Sequence, residues 1–313
     1  MLKKSKGSKG SKREEKLTNF DKSLIINSLR ANFPLFILFE VAQIKKPTYY
    51  YCIKQRTYIE KNADVVEEIK KIFEESNLTY GYRRITAVLR KTRLINSKKV
   101  LKIMRILGLK PGIKKRKKYS SYQGEVGKIA SNLIKRNFKA DKPYTKLFTD
   151  VSEFNLNGYK LYLSPFIDGF NKEIVGFSIG KSPNMRLVME SLNKAILKGQ
   201  KEGADFSKTI IHSDQGWQYQ NKNFRLRLND SKIIQSMSRK GNCNDNGLME
   251  GFFGLLKNEM FYGKEKTFSS IEDLKNKIED YIDFYNNRRI KTGLNALSPV
   301  DYKKVKAQAS KKV

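Results

Sequence analysis

Residues 159–168 read YKLYLSPFID, ten positions that are nearly all apolar, bounded by Gly158 and by the turn sequence GFNK. A run this short is a strand rather than a membrane span, and with so little polar alternation it must be covered on both faces. It is the middle of three strand candidates at hairpin spacing, between KLFTDVSEF and EIVGFSIG (173–180). The period then changes. A helix over roughly Met185–Leu197 is followed by a short apolar strand ending in IIHSD, a helical NKNFRLRLND and a fifth strand, IIQSMS. After RKGNCND a long helix runs from about Asn246 to Met260. Three antiparallel strands, then helix–strand–helix–strand–helix, predict an α/β fold: a mixed five-stranded sheet flanked by helices, over residues 144–262.

Upstream the pattern is helical. Residues 1–19 are rich in Lys, Ser and Gly and predict a disordered basic arm. A helical segment over 20–60 is interrupted at Pro34 and Pro47. Three short helices follow within 61–110: one carries Val65, Val66, Ile69, Ile72 and Phe73, the next Ile85, Val88 and Leu89, the third Val100, Leu101, Met104 and Leu107. Tight connections between them suit a helix-turn-helix-like unit, with a plain helical bundle as the alternative. Residues 111–143 read as a basic linker, and 263–313 as a C-terminal helix and basic tail.

The charge narrows the partners. With 64 basic and 31 acidic residues, the chain carries a formal +33, and the excess is not confined to one tail. Such a surface concentrates polyanions around it, nucleic acid first. Two cysteines far apart and a single histidine, His212, leave no material for a zinc module or a disulfide framework. The longest apolar run, Leu35–Phe39, is broken by Glu40, and the basic opening lacks the apolar stretch of a signal peptide. A cytoplasmic, nucleoid-associated protein with no membrane partner is expected.

Three acids fall at the edges of the strand–helix pattern. Asp150 lies within the first strand, Asp214 follows the fourth, and Glu250 is in the first turns of the last long helix. Carboxylates brought together repel one another and are stable when hard cations sit between them. Two Mg²⁺ ions, with Mn²⁺ as a substitute, would activate an attacking oxygen and stabilise a leaving one in phosphoryl displacement. At about 100° per residue Lys257 stands nearly in register with Glu250, with Gly254 between them on one stripe, while Leu248, Phe252, Leu255 and Leu256 cover the opposite side. Glu259 points to that apolar side and reads as structural. Other polar residues have plainer readings: Asp168 a turn, Asp245 a helix N-cap, Glu153 a side chain facing away from Asp150, and His212 an orienting or space-filling ring. Ser213 lacks the surroundings of an activated nucleophile.

FTDVSEF, HSDQG and SRKGNCNDNGLMEGFFGLLKNE, with YGYRRI upstream and FYNNRRIKTGLNALSPVDY at the close, resemble the integrase-core transposases of bacterial insertion sequences. Trp217 and Asn244 depart from the pattern, beside the acids rather than among them. The resemblance implies a ribonuclease-H-like fold and a DDE site in which Asp150, Asp214 and Glu250 bind the metals and Lys257 contacts DNA near the scissile phosphate. It implies metal-dependent 3′-end cleavage and strand transfer, acting on double-stranded element ends and target DNA, in a homo-oligomer. It also implies a downstream-reading-frame product, with an upstream-frame helix-turn-helix protein or fusion segment as partner. Arg83 and Arg84 in the helical unit, Lys114 and Lys115 in the linker, and Arg239 and Lys240 beside the glycine loop are the further DNA-contact candidates. The alternative is a catalytically silent DNA-binding repressor derived from such an element. A retroviral-type integrase, which carries a His2Cys2 module, is excluded by the single histidine.

Overall fold

The structure, a computed structural model, describes residues 17–112, 128–239 and 242–310. Lys114, Lys115, Lys240 and most of the expected basic arm lie outside the described residues.

Six helices precede the sheet: α1 (Asn19–Leu29), α2 (Leu35–Ala42), α3 (Lys46–Glu60), α4 (Ala63–Glu75), α5 (Tyr82–Leu89) and α6 (Ser97–Ile106). Each break has a local cause. Thr18 and Asp21 close a capping box on α1, Pro34 is the N-cap of α2, and Pro47 sits in the first turn of α3, where its missing amide hydrogen is not needed. Asn96 caps α6, its side chain accepting from the Lys98 amide. Of the helical stripes read from sequence, Val65, Val66, Ile69, Phe73, Ile85, Leu89, Val100 and Met104 are buried in the same apolar cluster as the sheet, Ile72, Val88, Leu101 and Leu107 are half-buried, and Ile103 joins the buried set.

The sheet contains β1 (Lys146–Thr149), β2 (Ser152–Leu156), β3 (Tyr159–Asp168), β4 (Ile174–Gly180), β5 (Ile210–Ser213) and β6 (Ile234–Met237). β1 and β2 hold a single register against β3: Thr149 stands opposite Phe166 and Ser152 opposite Leu163. They are two halves of the one strand expected from sequence, so the sheet has five strand positions, ordered β4–β3–β2/β1–β5–β6. Carrying that register across the gap sets Asp150 opposite Pro165, which has no amide hydrogen to offer a neighbouring strand. β5 and β6 run parallel to β1, whereas β3 runs antiparallel to β1, β2 and β4. This mixed arrangement is ribonuclease-H-like.

Between β4 and β5 lies α7 (Met185–Lys201), longer than predicted by one turn. α8 (Trp217–Gln220) and α9 (Lys222–Asp230) connect β5 to β6, and α10 (Gly247–Leu256), α11 (Ile271–Asn287) and α12 (Pro299–Ser310) close the chain. One sheet face, with Leu147, Phe166, Val175 and Ile211, packs on Val188, Leu192 and Ile196 of α7. The other, with Phe148, Phe154, Leu163 and Ile167, packs on Met249, Phe252 and Leu256 of α10 and Leu274 and Ile278 of α11.

Three expectations change. The last long helix is not one regular helix to Met260: it passes at Lys257 into a π-helical turn over Lys257–Phe261. The C-terminal region holds two helices, and α11 is a core layer rather than an appendage. The described part of the linker lies along β6, where Ser131 O accepts from the Met237 amide and the Leu133 amide donates to Ser236 Oγ, which shields an otherwise open sheet edge. Among the described residues no helix is long and apolar enough to cross a membrane.

Candidate active site

The parallel pairing of β1 with β5 sets the site. Phe148 is level with His212, so two steps on, just past both strand ends, Asp150 is level with Asp214. Side chains alternate along a strand, so Asp150 follows Phe148, and Asp214 follows His212, onto the sheet face covered by α10. The start of α10 is tied to this place: the Asn246 side chain donates to Thr149 O (3.4 Å), the carbonyl just before Asp150. Glu250 follows one turn later, within the first turn of α10. All three carboxylates are half-buried.

The electrostatics are those of like charges held close. Burial first, then the Asp214 carboxylate and more weakly Glu250, push the Asp150 carboxyl well above its usual range, while the Val151 amide and Lys257 oppose the shift. Burial also raises Asp214, against the Gly216 amide that donates to its Oδ1 at 2.9 Å. Burial lowers Lys257, whose ammonium lies 5.0 Å from the Phe154 ring centroid, and Glu153 and Asp150 partly offset that shift. Tyr219 lies buried beside the two aspartates, its hydroxyl 3.4 Å from Thr149 Oγ1.

These are hard oxygen donors in a site short of positive charge, which is the chemistry that suits a divalent cation. Among the described residues, however, no three His, Cys, Asp or Glu side chains stand as a ready-made metal cage. The strand register sets Asp150 level with Asp214, and Glu250 is near enough to add to the repulsion on Asp150.

The remaining candidates separate. His212 is structural: Nε2–H donates to Asp245 O (3.0 Å), and Nδ1 accepts from Ser236 Oγ (2.9 Å), itself receiving the Leu133 amide. Burial lowers its pKa, so the ring is neutral near pH 7 and bolts β5, β6 and the approach to α10 together. Asp168 accepts the Tyr144 and Phe170 amides, both at 2.8 Å, at the opposite end of β1. Glu153 accepts from Tyr162 Oη at 2.8 Å. Glu259 is structural, as expected, bound by both Arg289 Nε (2.9 Å) and Nη2 (2.6 Å).

Arg84 needs correction as a DNA contact. Its guanidinium turns inward, 4.0 Å from Glu259 and over the Tyr80 ring, because a buried carboxylate there is the stronger attractor. Asp245 is not the α10 N-cap, which is Asn246. It is a fully buried carboxylate held by Arg239, Arg136 and Asn132, a role suggested in sequence only by its being an acid beside a basic loop. Arg83 is exposed, and Arg239 remains 59% exposed despite its ion pair.

Residues 140–243 and 250–306 match two families each described as integrase core domain, and residues 60–118 match an HTH-like domain. The chain is 45% identical, over 89% of its length and 96% of the relative's, to the putative transposase InsK for insertion sequence element IS150 of Escherichia coli K12. The chain belongs to the integrase-core transposases of insertion sequences. The transposase is also 49% identical to an uncharacterized transposase-like protein of Haemophilus influenzae, over 70% of this chain and 98% of that one. A solved HTLV-2 integrase catalytic core domain aligns with 52% of the transposase and 99% of itself, at TM-score 0.41 and 17% identity.

Proposed function

We propose that this transposase cuts the 3′ ends of its element and joins them to target DNA, with Asp150, Asp214 and Glu250 holding two divalent cations, Mg²⁺ or Mn²⁺. The single observation that carries the reading is the strand register that leaves Asp150 beside Asp214 on the face that α10 covers. Bound there, the cations supply Lewis acidity to the attacking and leaving oxygens of phosphoryl transfer. The chain's own residues do the rest. The Gly216 amide fixes the Asp214 carboxylate, Asn246 ties α10 to β1 so that Glu250 arrives above the aspartates, and the Lys257 ammonium stands ready to neutralise a phosphate. Arg83 and Arg239 offer further phosphate contacts. Because two element ends must be joined together, the working form is an oligomer.

Asp214→Asn tests this reading. It should abolish cleavage and strand transfer on end-bearing duplex DNA in Mg²⁺ or Mn²⁺, while duplex binding in a mobility-shift assay stays within about twofold. Retained cleavage would remove the carboxylate site from the chemistry. A wild-type protein that binds DNA and cuts nothing would favour a silent repressor.

A further inference from the structure

A cleft of about 360 Å³ opens at the C-terminal end of β6, lined by Asn132, Lys135, Arg136 and Arg239. Three of these four residues are cationic, and the carboxylate between them is fully buried. Asp245 takes Arg136 Nε at 3.0 Å, Arg239 Nε at 2.8 Å, Arg239 Nη2 at 2.9 Å and Asn132 Nδ2 at 3.0 Å. Both guanidinium groups are thus held edge-on from below. They are 49% and 59% exposed, although Arg136 Nη2 also donates to Asn242 Oδ1 at 3.0 Å. Asp245 cancels one charge of three, and Lys135 is exposed, with no carboxylate partner among the described residues.

The backbone is bent to make this cleft. Lys135 and Arg136 are consecutive residues in the left-handed region, at φ 48° and 65°. Neither is a glycine, and each such residue costs on the order of 1 kcal/mol or more, a strain kept where it positions something. The turn is braced by the Lys135 amide on Asn132 Oδ1 (2.9 Å) and by burial of Ile134.

Its location points to the ligand. β6 pairs with β5 so that Met237 is level with Ser213, which sets Arg239 level with Gln215, next to Asp214. The cleft therefore shares the strand-end edge of the sheet with the carboxylates: Arg239 is two strand positions from Asp150, and Asn132, Lys135 and Arg136 lie one position farther, on the linker outside β6. At about 4.8 Å per position that is roughly 10–14 Å, or about three to four base-pair steps at ~3.4 Å each.

We infer that the Asn132–Lys135–Arg136–Arg239 cleft binds a DNA backbone phosphate a few nucleotides from the one at the carboxylates. The inference rests on the proposed action on DNA, but its test reads binding alone. The full chain carrying Asp214→Asn is titrated with a random-sequence 30-base-pair duplex at several salt concentrations, with and without Lys135→Ala. Lys135 does not touch Asp245, so this change leaves the clamp in place. Lys208→Ala, an exposed lysine at the opposite end of the sheet, is the control. Loss of a phosphate contact should lower the slope of log K against log salt by about 0.9. Lys135→Ala should show that loss with an unchanged melting temperature, and Lys208→Ala should not. An unchanged slope for Lys135→Ala, or equal losses for both variants, overturns the inference. If Lys135→Ala unfolds, Lys135→Gln takes its place under the same criteria. Failure of Asp214→Asn to stop cleavage would refute the carboxylate reading without altering this slope.

Discussion

At the scale of single residues, Gly216 bears most directly on Asp214. Its amide donates to Asp214 Oδ1, and a Cβ added there would stand 3.0 Å from that same oxygen and 3.0 Å from Gln218 Oε1. Gly216→Ala should therefore move the carboxylate more than it unsettles the fold. We expect strand transfer to fall on the order of tenfold to a hundredfold, with the melting temperature shifting by only a few degrees. Equal activity in the two proteins would show that Asp214 tolerates the displacement. Residue roles were legible in the sequence where a local pattern carries them. Asp168 serves the turn beside it, and Glu259 lies on the apolar side of its helix. Arg84 was not legible as an inward-facing residue, because the carboxylate that draws it lies far along the chain, beyond any local pattern.

Among elements, β4 and α7 pack backbone to backbone at Gly176. A Cβ on Gly176 would lie 2.5 Å from the Ala195 nitrogen and 2.7 Å from the Ser191 carbonyl, both backbone atoms that cannot swing aside. Gly176→Ala should force the helix off the sheet at a cost of about 1–3 kcal/mol, read as a lower midpoint in urea unfolding. An unchanged midpoint would mean that α7 can retreat freely. The strands were readable because short, nearly continuous apolar runs report two covered faces, and even the broken β1/β2 pair reads as one run. The π-helical turn over Lys257–Phe261 was not. Its residues have good helical periodicity, and the shift accompanies contacts made elsewhere, with Glu259 meeting Arg289 and Tyr281 of the C-terminal region and Phe261 packing edge-on to Phe154.

For the molecule as a whole, the helical unit and the sheet domain meet around one buried ion pair. Arg289 is 2% and Glu259 8% exposed in their side chains, with Tyr281 Oη also donating to Glu259 at 2.8 Å. Arg289→Ala would strand the carboxylate and should cost about 3–5 kcal/mol. The double change Glu259→Gln with Arg289→Met should recover much of that loss in thermal denaturation, since it removes the uncompensated charge. If the double variant melts no higher than the single one, shape rather than charge governs the junction.

Next to that pair, the Ile290 amide donates to Tyr80 Oη across 210 residues of sequence. Synthesis runs from the N-terminus, so α4–α6 leave the ribosome well before the surface that receives them has been made. A translation product halted ahead of Arg289 would leave the Tyr80 hydroxyl without the Ile290 amide and the Glu259 carboxylate without its guanidinium partner.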